Sequence, residues 1–423
     1  MVVGTIIGAS IFVQPSEMSG ALPSIPGLLL AWIVAGLLTV VGALICAELA
    51  SAYPRTGGVY VFLSETLSPA AGFLWAWAMF WSMHSGIIAA IAVICARYTG
   101  YLVPLSATGQ RLVAIAVILL LSAVNYLGVR SGSRVQATFT AGKLVAVGLM
   151  IAIGFAAGRH LPHFVGGRTT PDLLIRFPAA VAAALFTFGG WHMVTFVAGE
   201  TVEPRRTIPV ALMAGVALAT ASYVALNVVY FYVLPLDTVV SSSRVAADAA
   251  DAVLGSGGGV FMSVLVVVSA FGSLSGLILL GPRVYFSVAG DSRWFAWLGA
   301  VHPRFQTPYR AIAVQAVWSS VLVATGTYRA LFTRVVYTEW IFFAALAVWL
   351  AVARRRPGYA PAYRMPGFPI VPALFALVGG AIAVSALVAN PSEALLGLLL
   401  VGIGLPAYYL GRKRQAPDGA APR

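Results

Sequence analysis

The sequence predicts an all-α integral membrane protein of about twelve transmembrane helices, and three observations lead there. First, of 423 residues 60% are hydrophobic and 9% charged, with a mean hydropathy of +0.92, whereas a soluble domain carries roughly 25% charged residues. Second, apolar runs recur from end to end at about twenty residues each, the length that crosses a hydrocarbon core of roughly 30 Å. Third, the basic residues behind the net charge of +13 gather in the connectors between those runs. That placement sets membrane orientation. It forms no basic, aromatic-interleaved face of the kind that binds nucleic acid.

Taken in order, spans are expected near 2–19, 27–52, 71–96, 111–128, 134–157, 173–199, 208–234, 258–288, 311–326, 334–353, 368–389 and 394–411. Proline and glycine clusters such as Pro23-Ser24-Ile25-Pro26-Gly27, Pro54-Arg55-Thr56-Gly57-Gly58 and Arg356-Pro357-Gly358 separate them, as helix-to-helix turns require. With the amino terminus on the cytoplasmic side, seventeen basic residues fall inside and eight outside. Lys143, within a span, completes the 26. This two-to-one bias predicts both termini in the cytoplasm and a multi-pass protein of the plasma membrane. Residues 1–20 lack the basic lead and Ala-x-Ala cleavage site of a signal peptide, and a truncated start and a naturally short one both fit. Cys46 and Cys95 lie inside spans with no CxxC or Cys/His cluster beside them, so no metal, cofactor or disulfide is expected.

Two spans are interrupted. The first reads Gly4-Thr5-Ile6-Ile7-Gly8-Ala9-Ser10-Ile11-Phe12-Val13-Gln14-Pro15 and the sixth reads Leu185-Phe186-Thr187-Phe188-Gly189-Gly190-Trp191-His192. Small residues at helix contacts are one reading of either segment. Breaks at corresponding places in two five-helix halves are the other, and they point to a transporter built from an inverted repeat. A broken helix frees amides that suit a carboxylate and carbonyls that suit an ammonium.

At this point the residues resemble a family. The stretch Gly4 to Pro15, the run Glu48 to Tyr60 containing Tyr53-Pro54-Arg55-Thr56-Gly57-Gly58, and Phe139-Thr140-Ala141-Gly142-Lys143-Leu144 are similar to the amino acid-polyamine-organocation superfamily. So are Phe186 to His192 with Glu200 and Pro204, and Tyr363-Arg364-Met365-Pro366-Gly367-Phe368-Pro369. The resemblance is strongest to the L-type amino acid transporters and their bacterial relatives. It implies the leucine-transporter fold: a first repeat over 1–157, an inverted second over 173–353, and two peripheral helices over 368–411. It also implies a site, with the substrate carboxylate on amides at Ala9 and Ser10 beside Gly8. The amino group would meet carbonyls at Ile6, Phe186 and Gly189, under the ring of Phe186. Where L-type relatives read Gly-Ser-Gly this chain has Gly8-Ala9-Ser10, and His192 replaces a frequent asparagine.

Lys143 is costly in a membrane unless paired, by several kcal/mol. Snorkelling to an interface is the bland reading. The resemblance implies instead that its ammonium stands where sodium-coupled relatives hold sodium, near carbonyls by Gly8 and hydroxyls such as Ser269 or Ser273, which predicts sodium-independent transport. His192 is either packed and hydrogen-bonded or in contact with substrate or proton. Glu339 either pairs within the bundle or exchanges protons. Glu48 is read as anchoring the loop after its helix, and Arg283 as an inner-side anchor. The expected function is a secondary carrier of neutral L-amino acids, by exchange or proton coupling. A polyamine or cationic amino acid carrier would need acids facing the cavity, where Glu339 alone is a candidate. A membrane-embedded enzyme would need clustered His, Asp, Glu or nucleophiles, but His160 and His163 fall in one loop and His302 in another. A channel would need a repeated pore motif, which is missing. A partner subunit is left open, with no outer-loop cysteine to tether one.

Overall fold

A computed structural model describes residues 2–128, 132–157, 173–290, 292–389 and 391–411. His160 and His163 lie outside the described residues, as do Arg130, Arg159, Arg168, Arg412, Lys413, Arg414 and Arg423 and the side chain of Arg134, all of which were counted in the inside-outside bias of basic residues. Among those described, the regular elements are helices, as lipid demands: a backbone crossing hydrocarbon must satisfy its own amides and carbonyls.

The chain opens with α1 (Val2–Ile6), a 3-10 turn at Ser10–Phe12, and α2 (Gln14–Ala21). The long α3 (Ile25–Ala52) follows, started by the Ser24 hydroxyl, which accepts from Gly27 N, and by a proline in its first turn. Then comes α4 (Val59–Thr66), followed by α5 (Pro69–Ala78), a π-turn at Met79–Met83 and α6 (His84–Leu102), the last three making one span over Pro69–Leu102. Next are α7 (Ala107–Tyr126), α8 (Gly132–Ala157) and α9 (Leu173–Phe188), the last leading into a 3-10 stretch at Trp191–Glu200. The second half contains α10 (Pro204–Val233), α11 (Leu236–Ser241), α12 (Val245–Leu254), α13 (Gly258–Ala289) and α14 (Arg293–Ala296). It ends with α15 (Tyr309–Thr325), α16 (Tyr328–Ala353), α17 (Ile370–Ala389), α18 (Pro391–Gly402) and α19 (Gly404–Gly411).

Among the described residues, ten helical segments are long and apolar enough to cross a membrane. Two further expected spans are helical but fall short of that: residues 2–21 are interrupted, and α15 has 17 residues. Short helices that hydropathy did not anticipate, α4, α11 and α12, lie between spans. Their apolar runs are too brief to register as crossings.

The interior forms around α1, α3, α6, α9, α10, α13 and α16, which pack on one another. The described faces of α7, α17 and α18 expose Leu and Val to the surroundings, among them Leu112, Leu120, Leu374 and Leu399. That inversion of a soluble protein's surface is what a lipid-facing helix requires. Close approach supplies the contact energy where both sides are apolar. A Cβ at Gly36 of α3 would lie 2.4 Å from Thr220 of α10, so those two helices meet at a point that admits no larger side chain.

Candidate functional site

The two breaks lie against each other. After Ile6 the chain leaves the helix, and Gly8 N donates back to Ile6 O at 2.7 Å. Among the described residues the amides of Ala9 and Ser10 make no backbone hydrogen bond. In the other segment, α9 ends at Phe188, Gly189 N donates to Phe186 O at 3.0 Å, and Gly190 adopts φ 91°. A side chain there would be strained by its φ. Its Cβ would also sit 2.8 Å from Thr5 O on the first break. Glycine at 190 is therefore what lets the two interrupted backbones touch.

One hydroxyl ties them together. Tyr223, fully buried on α10, reaches Ile6 O at 2.7 Å and Thr187 O at 3.1 Å, one carbonyl from each interrupted helix. The sequence reading missed this residue, though a tyrosine in an apolar span carries a signal of its own, since its buried O–H needs an acceptor.

Between the breaks is a small cavity bounded by Ile6, Gly8, Ser10, Phe186, Gly189 and Ser273, with Ile87, Ile91, Leu277 and Val335 completing an apolar wall. No charged side chain is among the described residues lining it. Its volume is about 20 Å³, room for about one water molecule. Phe186 closes it from one side, its ring 6.1 Å from that of Tyr328 and 5.6 Å from that of Phe332.

Of the residues singled out from the sequence, Ile6, Gly8, Ser10, Phe186 and Gly189 border this cavity together. Ala9 is fully buried and is not among the residues lining the cavity. The Ile6 carbonyl already accepts from Gly8 N and Tyr223, which occupies both its lone pairs. His192 lies outside the lining, in an aromatic cage where the rings of Trp75, Trp191, Phe196 and Phe343 are 5.1–5.6 Å away. Glu339 is buried on α16, four residues from Val335 of the cavity wall and four from Phe343 of that cage.

Lys143 does not snorkel. It is buried on α8, donating to Ser273 Oγ at 2.5 Å and to Gly4 O at 3.4 Å. The carbonyl is thus Gly4, one turn before the expected Gly8, because α1 is still helical there and its end points at α8. Ser273 Oγ in turn reaches Ser269 O at 3.1 Å. Lys143 therefore links α8 to α13 and to the first interrupted helix.

Ion pairs lie toward the two ends of the bundle. Glu48, fully buried, accepts from Arg354 Nε at 2.8 Å, Arg354 Nη2 at 2.6 Å, Met365 N at 2.8 Å and Tyr359 Oη at 3.1 Å. It anchors the loop between α16 and α17 rather than the loop after its own helix, because that loop brings three donors to a carboxylate that burial would otherwise penalise. Arg283 pairs with Glu200 at 3.0 Å beside a cavity of about 810 Å³ lined in part by Thr56, Asn125 and Thr307. At the opposite end Glu17 lies 2.7 Å from Arg329 and 4.0 Å from Arg97.

A multi-pass helical protein with two interrupted helices enclosing a small uncharged cavity has the build of a membrane carrier for small polar solutes. The comparisons with known proteins agree with that build and specify it. Residues 1–397 match the family model described as amino acid permease, and the chain belongs to that family. It is 30% identical over 98% of its length to the serine/threonine exchanger SteT of Bacillus subtilis (strain 168), covering 95% of that protein. It is 29% identical to the mouse Asc-type amino acid transporter 1, over 97% of this chain and 79% of the relative. The human large neutral amino acids transporter small subunit 2 is likewise 29% identical, over 97% and 78%.

Proposed function

We propose that this protein is a secondary carrier of neutral amino acids that works by alternating access at the cavity between the α1 and α9 breaks. The observation that carries the reading is the facing pair of interrupted backbones, with the Ala9 and Ser10 amides unbonded to backbone on one side. In this reading they receive the substrate carboxylate, while carbonyls at Ile6, Phe186 and Gly189 receive its ammonium. Ile6 O would exchange one of its present donors for the substrate. A cavity that now has room for about one water must enlarge for an amino acid, and in this reading Phe186 swings aside to make that room. The uncharged lining argues for neutral substrates and against the polyamine or cationic alternative.

The five-plus-five repeat over 1–157 and 173–353 with peripheral helices over 368–411 is the architecture that corresponding breaks favour. The Glu48 end is taken as cytoplasmic, from the bias of basic residues, in a plasma-membrane protein. Lys143 on Ser273 and Gly4 O takes the place of a coupling cation, so uptake is independent of sodium. Exchange is favoured by the name of the Bacillus relative. Proton coupling is a second reading, resting on Glu339, which is buried near the cavity wall.

Counterflow of labelled amino acids in proteoliposomes, with and without sodium or a proton gradient, tests this. Serine, threonine, alanine and leucine-sized substrates should exchange without sodium, whereas a sodium requirement would overturn the role of Lys143. Phe186→Ala should lose most transport while eluting as a folded monodisperse protein, and unchanged uptake would count against the site.

A further inference from the structure

Behind the cavity wall α6, α13 and α15 meet on buried polar side chains. Leu277 of α13 forms part of that wall, as do Ile87 and Ile91 of α6. His84 opens α6 directly after the π-turn, an irregularity often found at functional sites. It stands three and seven residues before the two isoleucines and so shares their face. Its Nε2 lies 2.8 Å from Leu277 O. A carbonyl can only accept, so Nε2 carries the hydrogen and donates it. His84 itself is not among the described residues lining the cavity.

Two features make that bond matter. The first is the softness of α13: Pro282, inside the helix, has no amide to offer Ile278 O, and Gly281 precedes it. The second is the fit. A Cβ at Gly281 would lie 2.5 Å from His84 Cδ2, 2.6 Å from His84 Nε2 and 2.4 Å from Gln315 Oε1 of α15, so only glycine admits both side chains there. His84 and Gln315 are buried, and neither His84 Nδ1 nor either polar atom of the Gln315 amide has a hydrogen-bond partner among the described residues. Unpaired polar atoms in the interior lower stability, and stability alone does not account for this cluster.

We propose that His84 is a positioning residue for substrate choice. Its hydrogen bond to Leu277 O pins α13 one turn from the weak Gly281-Pro282 step, and so sets how far the Leu277 side chain intrudes on the cavity. Gln315 backs the imidazole across Gly281 and keeps it on that carbonyl. Freed from His84, the wall recedes and larger side chains are accepted. The proposal deepens the carrier reading and rests on it, since it names the one dimension of the site that His84 controls, the room for the substrate's side chain.

Counterflow of labelled serine in proteoliposomes, competed by unlabelled serine or leucine, reads that dimension as the ratio of leucine to serine half-saturation. His84→Leu keeps the bulk and removes the donor, and should lower the ratio by ~2–10-fold, the span of one net hydrogen bond. His84→Gln, whose amide can still donate to Leu277 O, should hold the ratio near the parent's. Gly281→Ala displaces the imidazole without altering it and should lower the ratio as His84→Leu does; it carries the test if His84→Leu fails to fold. If His84 acts through Leu277, adding His84→Leu to Leu277→Ala should change the ratio no further. A purely structural role would lower the melting temperature and leave the ratio in place, so the parent's ratio in His84→Leu and Gly281→Ala would overturn the proposal. An additive effect in the double variant would do the same. A parent that exchanges neither amino acid would instead overturn the carrier reading, and this inference with it.

Discussion

Arg329 and Arg354 stand near the two ends of one helix and each meets a carboxylate, yet the contacts differ in kind. Glu48 is fully buried, with every lone pair directed at a donor, two of them from a single guanidinium. Glu17 shares its charge between two partly exposed arginines, one of them at 4.0 Å. A buried carboxylate stripped of its partner retains its desolvation cost, so it holds its geometry. Glu17 is itself only 17% exposed, but its partner Arg329 is 60% exposed and is re-solvated as the pair parts, so that contact holds less firmly. The same pair of residue types thus makes a firm joint at one end and a looser one at the other. Lys143, linking α8, α13 and Gly4 O in the interior, belongs with the joints.

The largest effect that would sharpen this contrast is at Glu48. Glu48→Gln leaves Arg354 without its counter-charge and should lower stability by ~3–5 kcal/mol, read as a marked fall in melting temperature in detergent. A melting temperature equal to the parent's would place Glu48 with the exposed class. An intermediate effect is expected at Tyr223, midway between the ends. Tyr223→Phe removes the donor shared by Ile6 O and Thr187 O, and leaving a buried acceptor unpaired costs about 1–3 kcal/mol. It should weaken substrate half-saturation in counterflow by roughly tenfold, and an unchanged value would remove Tyr223 from the site. The smallest effect is at Glu17. Glu17→Gln should move the melting temperature little, within the ~0.2–1 kcal/mol of a pair that water reaches. A destabilisation as large as that of Glu48→Gln would erase the distinction between the two ends.

The pattern of long apolar runs, with charge confined to connectors, was enough to read a multi-pass helical protein and ten of its crossings, because bilayer thickness dictates helix length. The interruptions at Gly8 and at Gly189-Gly190 were legible because they fall at corresponding places in two five-helix halves, where either one alone would read equally as a close helix contact. Ile6, Gly8, Ser10, Phe186 and Gly189 could be named because the family resemblance assigns backbone groups at the breaks to positions that this sequence matches. His192 could not be assigned, since nothing along the chain tells which way its ring turns, and the structure puts it among Trp75, Trp191 and Phe343.

Glu48 had been expected to hold its own loop and holds one about three hundred residues away. Lys143 had been expected near Gly8 and meets Gly4 O. Tyr223 and Glu17 were not foreseen at all. These are side-chain contacts between helices distant in sequence, and they depend on how each helix is rotated and how far it slides along its neighbour. Hydropathy says that a segment crosses the bilayer and constrains neither quantity. The sequence by itself determined that the chain spans a membrane and where its backbone must open. Only packing decided which partners close those openings, because a long side chain finds its hydrogen bonds across space and the residue order does not record that distance.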